Sequence, residues 1–284
     1  MITARSLLFV PASSPQKAEK AFLSAADGVI LDLEDAVAVA EKPQARENAA
    51  ALLQTRRATQ VYIRVNAIST PFCFDDLQVA AAAQIDGIQL PKAESASEIA
   101  MVDWLLTQVE QKAGKPPGSL EILPIIESAK GLAAAAEIAG ASSRLRRLAL
   151  GAVDLALDMN FDPNDEFGAI AHARFALSLA SRQAGLDGPL DLVFVDIRDL
   201  DGLRASTMRG RAMGYGGKAC IHPAQIATVN DVYTPDAAQL ANAREIVAAF
   251  EKAEAAGAAA VSLNGIMIDY PVVARARRLL ATQT

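Results

Sequence analysis

Eight short apolar runs alternate with amphipathic stretches through most of this chain. They begin at Ser6 (SLLFVP), Gly28 (GVILDLED), Val61 (VYIRVN), Gly87 (GIQLP), Leu120 (LEILPIIE), Leu148 (LALGAVD), Leu192 (LVFVD) and Lys218 (KACIHP). Runs this short, apolar on both faces, are the pattern of parallel strands buried on two sides. Between them, residues 15–26, 42–53, 94–111, 166–184 and 200–213 space their apolar side chains three and four apart, as helices do. Helix starts are signalled at Ser14-Pro15, Asp75-Asp76 and Ser95. Eight strand–helix units predict an α/β fold, a (β/α)8 TIM barrel. A doubly wound sheet also alternates, but the first turn lacks a Gly-x-Gly-x-x-Gly fingerprint. We therefore expect a barrel over residues 1–230 and a C-terminal extension over 231–284. The extension reads as a long helix at 235–256, a short apolar run at 259–263, the segment from Asn264 to Pro271, and a basic helix with Arg275, Arg277 and Arg278. It is a lid, an oligomer-contacting arm, or a helix packed outside the barrel.

Hydrophobic residues make up 52% of the 284, enough for a large core, and the formal net charge is −6. An acidic balance argues against a nucleic-acid partner or an anionic membrane surface. No stretch is long enough to span a bilayer, and the first apolar run is too short for a signal peptide. Cys73 and Cys220 are far apart and form no Cys-x-x-Cys pair, which fits a reducing compartment. The expected location is the cytoplasm.

In a parallel barrel every strand ends at one mouth. Four of the runs end on acids there: Asp32, Glu34 and Asp35 after the second, Glu127 after the fifth, Asp154 after the sixth and Asp196 after the seventh. Neighbouring strands lie about 4.8 Å apart, so Glu127 and Asp154 can hold one hard cation between them. Oxygen-only ligation by two acids suits Mg2+ rather than zinc. Asp32, Glu34 and Asp35 read as supports that orient metal-bound water or Arg64. The turn Gly151-Ala152-Val153 offers backbone N–H groups to a substrate carboxylate. Arg64, at the end of the third strand, suits bidentate capture of a carboxylate, or pairs with the Asp32–Asp35 cluster; the two roles are compatible. His222 is a base or a residue locking the turn before Pro223. Lys92 is a Schiff-base lysine or an anion contact. Ser13, Ser14 and Ser128 lack a Gly-x-Ser-x-Gly setting, which argues against a hydrolase triad.

Taken in order, Arg5-Ser-Leu-Leu-Phe-Val-Pro11, Asp32-Leu-Glu-Asp-Ala36, Ile63-Arg-Val-Asn66, Leu90-Pro-Lys92, Pro124-Ile-Ile-Glu127, Gly151-x-x-Asp154, Gly217-Lys-Ala-Cys-Ile-His-Pro-Ala-Gln225 and Met267-Ile-Asp-x-Pro271 resemble the citrate lyase beta-subunit-like family of the HpcH/HpaI aldolase/citrate lyase superfamily. That family includes malyl-CoA and citramalyl-CoA lyases. The resemblance covers nearly the whole chain and implies a TIM barrel binding Mg2+ through Glu127 and Asp154, with Arg64 on the substrate oxygens. It implies that Asp269, on a C-terminal lid, enters a neighbouring subunit's site as the acid/base of a homotrimer or hexamer. Arg5 and Lys17 match the region that contacts CoA in relatives. Where relatives often carry Asp-Gly-Lys-Met-Ile-Asp in the lid, this chain has Asn264-Gly-Ile-Met-Ile-Asp269. That departure points to a weakened CoA-phosphate contact or a different acyl carrier.

The implied reaction is reversible Claisen-type cleavage of a 3-hydroxy-acyl thioester (citryl-, malyl- or citramalyl-CoA type) to an acyl thioester and a 2-oxo acid. Two alternatives stay open: a metal-dependent aldolase on free hydroxy-oxo acids, and a lyase-complex subunit that depends on an acyl-carrier protein.

Overall fold

The structure, a computed structural model, describes residues 4–281. Its first compact unit, residues 4–233, is a closed eight-stranded parallel barrel. The first half runs β1 (Ser6–Pro11), α1 (Pro15–Phe22), β2 (Gly28–Asp32), α2 (Lys42–Leu52), β3 (Gln60–Arg64), α3 (Cys73–Ala82), β4 (Gly87–Leu90) and α4 (Ala96–Lys112). The second half runs β5 (Glu121–Ile126), α5 (Ala129–Ala133), α6 (Ala135–Ala139), β6 (Ala149–Leu150), α7 (Ala152–Met159), α8 (Ala169–Gln183), β7 (Leu190–Asp191), α9 (Leu200–Ala212), β8 (Gly217–Cys220) and α10 (Ile226–Tyr233). Each strand pairs with the next, and β8 pairs back onto β1 to close the barrel.

Strand residues alternate between two cores, as a two-residue period requires. Leu7, Ile30, Tyr62, Leu123, Ile125, Ala149, Leu190 and Ala219 fill the barrel interior. Leu8, Val10, Val29, Leu31, Val61, Ile63 and Ile88 face the helices. Alanines on the helices, among them Ala18, Ala45, Ala49 and Ala80, are buried in that outer layer and let helix backbones lie close to the sheet. Ser95 caps α4 by accepting from the Glu98 N–H.

Three expectations need correction. The seventh strand is Leu190–Asp191, two residues earlier than the run at Leu192 suggested; Asp196 lies beyond it, exposed on a loop. The sixth strand ends at Leu150, so Asp154 stands in the first turn of α7 rather than at a strand end. Asp75-Asp76 does not start α3, which begins at Cys73. Asp76 is instead fully buried, accepting from the Asn66 backbone and side chain and from Arg46.

The wall is thinnest at β6 and β7, which share a single register pair, Ala149 with Leu190. Buried charges tie this side together. Asp191 accepts two bonds from Arg174 of α8 (2.9 and 3.0 Å) and one from Lys218 of β8 (2.9 Å). Glu166 closes the network through Arg174 and Arg209, and these partners hold its carboxyl near 2 against the opposing effect of burial.

Residues 234–281 form the second unit. The long helix α11 (Ala237–Ala255) starts with a reciprocal cap between Asp236 and Gln239. An antiparallel hairpin of β9 (Val261–Leu263) and β10 (Ile266–Ile268) follows, then α12 (Tyr270–Ala281). Phe250, Ile268 and Val273 make the small core of this unit, and Tyr270 stacks edge-on against Phe250 at 5.0 Å. Among the described residues no helix is long and apolar enough to cross a membrane.

Candidate active site

Glu127 follows the last residue of β5 and is only 5% exposed. Its Oε1 accepts from the Lys92 backbone N–H at 2.7 Å. Lys92 adopts a left-handed backbone, φ +51°, an uncommon state for a residue with a side chain. Its side chain is half exposed, 3.9 Å from Glu34. Burial pushes the Glu127 carboxyl up to about 8, and the charges of Asp154 and Glu34 add to that. Gly151 caps α7 directly over this acid: a Cβ there would lie 2.4 Å from Glu127 Oε2. Only glycine permits that approach. Gly151, Ala152 and Val153 line the same small cavity as Glu127 and Asp154, as the sequence placed them.

Arg64 ends β3, and its guanidinium is engaged on both sides. It donates to Asp32 through two bonds of 2.8 and 2.6 Å, and one of its nitrogens lies 3.1 Å from Glu34 Oε2. The Phe9 ring lies 5.0 Å away, under the cation. Burial works against the charge, but the Asp32 hydrogen bonds and the surrounding carboxylates outweigh it and raise the pKa above the ordinary arginine value. Asp32 is itself fixed by accepting from the Glu34 and Ala36 N–H groups. Glu34 is buried and pushed up to about 7 chiefly by desolvation, with Arg64 opposing and the neighbouring acids reinforcing. Asp35 is exposed.

These residues converge at the C-terminal mouth. The donor set fits a magnesium-like cation: two carboxylates, oxygen only, one of them desolvated and destabilised by its like-charged neighbour. Among the described residues no group of three acids, cysteines or histidines forms a closed metal site. Two acids with open positions are what a cation shared with substrate oxygens needs.

A second, larger cavity of about 710 Å3 opens beside Arg64, walled by Leu8, Val10, Pro11 and Ile221 and carrying Lys17, Lys20 and His222. Lys20 was not anticipated; its position one turn after Lys17 on α1 was the available signal. Phe9 and Gln89 were also missed. Gln89 stood out only as a polar residue inside an apolar strand. His222 locks the turn before Pro223, accepting from the Ala224 N–H through Nδ1 while Gln225 bonds back to its backbone.

Arg5 is a correction. It precedes β1 and so sits at the opposite end of the barrel from the mouth, bonded to Asp27 through its backbone and guanidinium. It is a strand-end tie and does not reach either cavity. Asp269 caps α12 in the second unit, accepting from the Val272 N–H at 3.3 Å.

The fold and this mouth define a barrel protein with two acids beside a fixed arginine, and the chain belongs to the HpcH/HpaI aldolase/citrate lyase family, whose model matches residues 5–223. It is 37% identical to the citrate lyase subunit beta of Leuconostoc mesenteroides subsp. cremoris, over 97% of this chain and 92% of that one. It is 39% identical to the L-malyl-CoA/beta-methylmalyl-CoA lyase of Rhodobacter capsulatus, over 96% and 92%. The crystal structure of CitE from Mycobacterium tuberculosis in complex with magnesium, acetoacetate and coenzyme A superposes with a TM-score of 0.82 at 32% identity, covering 98% of this chain and 97% of that one.

Proposed function

We propose that this chain is a Mg2+-dependent carbon–carbon lyase that reversibly cleaves a 3-hydroxy-acyl thioester to an acyl thioester and a 2-oxo acid. The observation that carries this is the mouth itself: a desolvated Glu127 beside Asp154, an Arg64 held among carboxylates, and a cavity carrying Lys17 and Lys20 that shares Arg64 and Phe9 with the smaller one at the two acids. Relatives named citrate lyase subunit beta and malyl-CoA lyase support it.

Glu127 and Asp154 would hold the cation, which when bound supplies Lewis-acid stabilisation of negative charge on a substrate oxygen. Lys92 holds Glu127 in place through its N–H. Arg64 stands beside them as a permanent positive charge, aimed by Asp32 and unable to swing away because two bonds fix its plane. The Gly151 N–H is taken by the Ile126 carbonyl at 3.0 Å, so the N–H groups of Ala152 and Val153, in the first turn of α7, bind the carboxylate of the oxo-acid half, with Gly151 giving the close approach. Lys17 and Lys20 take the phosphates of the acyl carrier, CoA, while the apolar wall takes its flexible arm. The same pair would serve the prosthetic group of an acyl-carrier protein. In the condensing direction Asp269, delivered by a neighbouring subunit of a homotrimer or hexamer, accepts the proton from the α-carbon of the acyl thioester. The exposed Ile266 and Met267 beside it suit contact with another protein surface. The setting is the cytoplasm, and Cys73 and Cys220 are inert there, both thiols pushed up to about 12 by burial.

The test is Mg2+-dependent cleavage of malyl-, citramalyl- and citryl-CoA by the full chain, with products identified by mass. Asp269→Asn should lose turnover by about 10²- to 10⁴-fold and keep Mg2+ binding. Mixing it with an inactive Glu127→Ala chain should restore part of the activity, since one subunit then supplies the metal site and the other the acid. Undiminished turnover in Asp269→Asn, or no cleavage of any thioester, refutes the assignment.

A further inference from the structure

Lys42 is the first residue of α2, a place where the helix itself gains nothing from it. A cation at a helix N-terminus opposes the macrodipole. This one is also buried, only 5% exposed, and a buried ammonium is costly unless its protons are matched. Its Nζ donates to the Leu33 carbonyl at 2.8 Å and to the Glu34 carbonyl at 3.0 Å, and the Phe72 ring lies 5.5 Å away. Lys42 therefore bridges two consecutive carbonyls in the loop that leaves β2. It lines neither cavity of the mouth.

The first of those carbonyls belongs to the same peptide unit as the Glu34 N–H. A peptide unit is planar, so fixing its oxygen fixes the direction of its N–H. That N–H donates to Asp32 Oδ1 at 2.9 Å, and the Ala36 N–H donates to Asp32 Oδ2 at 3.1 Å. The same two oxygens accept from Arg64, Oδ1 from Nε at 2.8 Å and Oδ2 from Nη2 at 2.6 Å. A chain of contacts thus runs from ammonium to peptide to carboxylate to guanidinium, and buried links of this kind polarise one another.

We propose that Lys42 is a positioning residue: it sets the Leu33–Glu34 peptide, that peptide holds Asp32, and Asp32 aims Arg64 at the mouth. What Arg64 acts on rests on the lyase reading; how it is held does not. The test therefore reads Arg64 directly, through the hydrogen-exchange rate of its Nε–H, followed by NMR on isotope-labelled full-length protein and assigned by the loss of that signal in Arg64→Lys. Lys42→Met removes the bridge and keeps the bulk of the side chain. The Leu33 carbonyl keeps Asn66 as a donor at 2.9 Å and the Glu34 carbonyl keeps the Val37 N–H at 3.1 Å, so the loop retains its fold. Exchange at Arg64 Nε–H should rise by about tenfold, the weight of one hydrogen bond to a charged group. The Arg174 Nε–H, buried on Asp191 at 2.9 Å, is the internal control and should keep its rate. Turnover of the thioester should fall by about tenfold with KM changed by less than about twofold, because a misaimed Arg64 loses charge stabilisation in the transition state. Lys42→Arg, which keeps the charge and the donors, should restore both the exchange rate and kcat.

An unchanged Arg64 rate in Lys42→Met overturns the inference, as does a rate in Lys42→Arg as fast as in Lys42→Met. So does equal acceleration at Arg174, which would make Lys42 a residue of general stability. If Lys42→Met does not accumulate as folded protein, Lys42→Gln, with a shorter neutral donor, takes its place: it should accelerate Arg64 and spare Arg174, and a wild-type rate at Arg64 overturns the inference. Selective acceleration in a chain that cleaves no thioester keeps Lys42 in its role and loses the lyase assignment. Cleavage with an Arg64 rate indifferent to Lys42 does the reverse.

Discussion

Gly151→Ala is the sharpest test of the site's construction. The added methyl would sit 2.4 Å from Glu127 Oε2, 2.6 Å from Glu127 Cβ and 2.9 Å from Ile125 Cγ2, where ordinary contact begins at 3.4 Å. The Glu127 carboxylate must therefore move by about 1 Å, which is overpacking with a typical cost of about 1–3 kcal/mol. Its Oε1 is tethered to Lys92, so Oε2 moves and the geometry shared with Asp154 is lost. A displaced ligand of this kind weakens metal binding by about tenfold to a hundredfold. With Mg2+ at a hundred times the wild-type dissociation constant, wild type gains about 2.7 kcal/mol of stability. A variant that binds a hundredfold more weakly gains only about 0.4 kcal/mol at the same concentration. For a chain of this size each kcal/mol moves the midpoint by about 2–4 °C. Melting with and without Mg2+ should therefore show a large shift for wild type and almost none for Gly151→Ala. Gly140→Ala is the control, because its nearest contacts, at 3.9 Å, leave room for a methyl. An undiminished Mg2+ shift in Gly151→Ala would refute the close-approach argument.

Three further outcomes follow from the electrostatics. Glu127 is pushed up to about 8 from an ordinary 4.5, so between those values the folded chain holds a proton that the unfolded chain has released. Metal-free stability should fall as pH rises through that window, while Mg2+ affinity should weaken by up to about tenfold per unit as pH drops below about 8, measured by melting and by titration. Replacing Lys17 and Lys20 together with alanine should raise KM for the thioester, lessen its salt dependence and leave 2-oxo acid binding unchanged. Asp191→Asn should destabilise the barrel by about 3–5 kcal/mol in denaturant titrations, because it leaves the Arg174 and Lys218 cations buried without their shared anion.

The barrel was legible because each strand is buried on both faces and so spells its own short apolar run. β6 and β7 were the places where that signal weakened. With only two ladder residues each, their runs could slide along the sequence, and the apolar stretch from Leu192 imitated a strand while belonging to the loop after one. Glu127, Arg64 and Asp32 were readable because each ends or follows a strand. Asp154 was readable as an acid at the mouth but not as a helix residue, since Gly151 turns the chain earlier than the apolar run implied. The misplacement of Arg5 has a different cause: it adjoins a strand's start, and a motif match does not say at which end of a strand a residue stands. Gln89 and Phe9 reach the site from strand interiors, where only the pleat decides which face a side chain takes.

The contrast between the two sides of the barrel bears on how the proposed cation site would work. Glu127 rises from a six-residue stave and is pinned by a neighbouring N–H, whereas Asp154 rides on a short helix leaving the thinnest part of the wall. One acid is therefore an anvil and the other a hinge. Amide hydrogen exchange should be slow along β5 and faster through β6 and the start of α7. On the proposed function, Asp154 would be the acid that yields as substrate binds and leaves, while Glu127 would keep its place relative to Arg64.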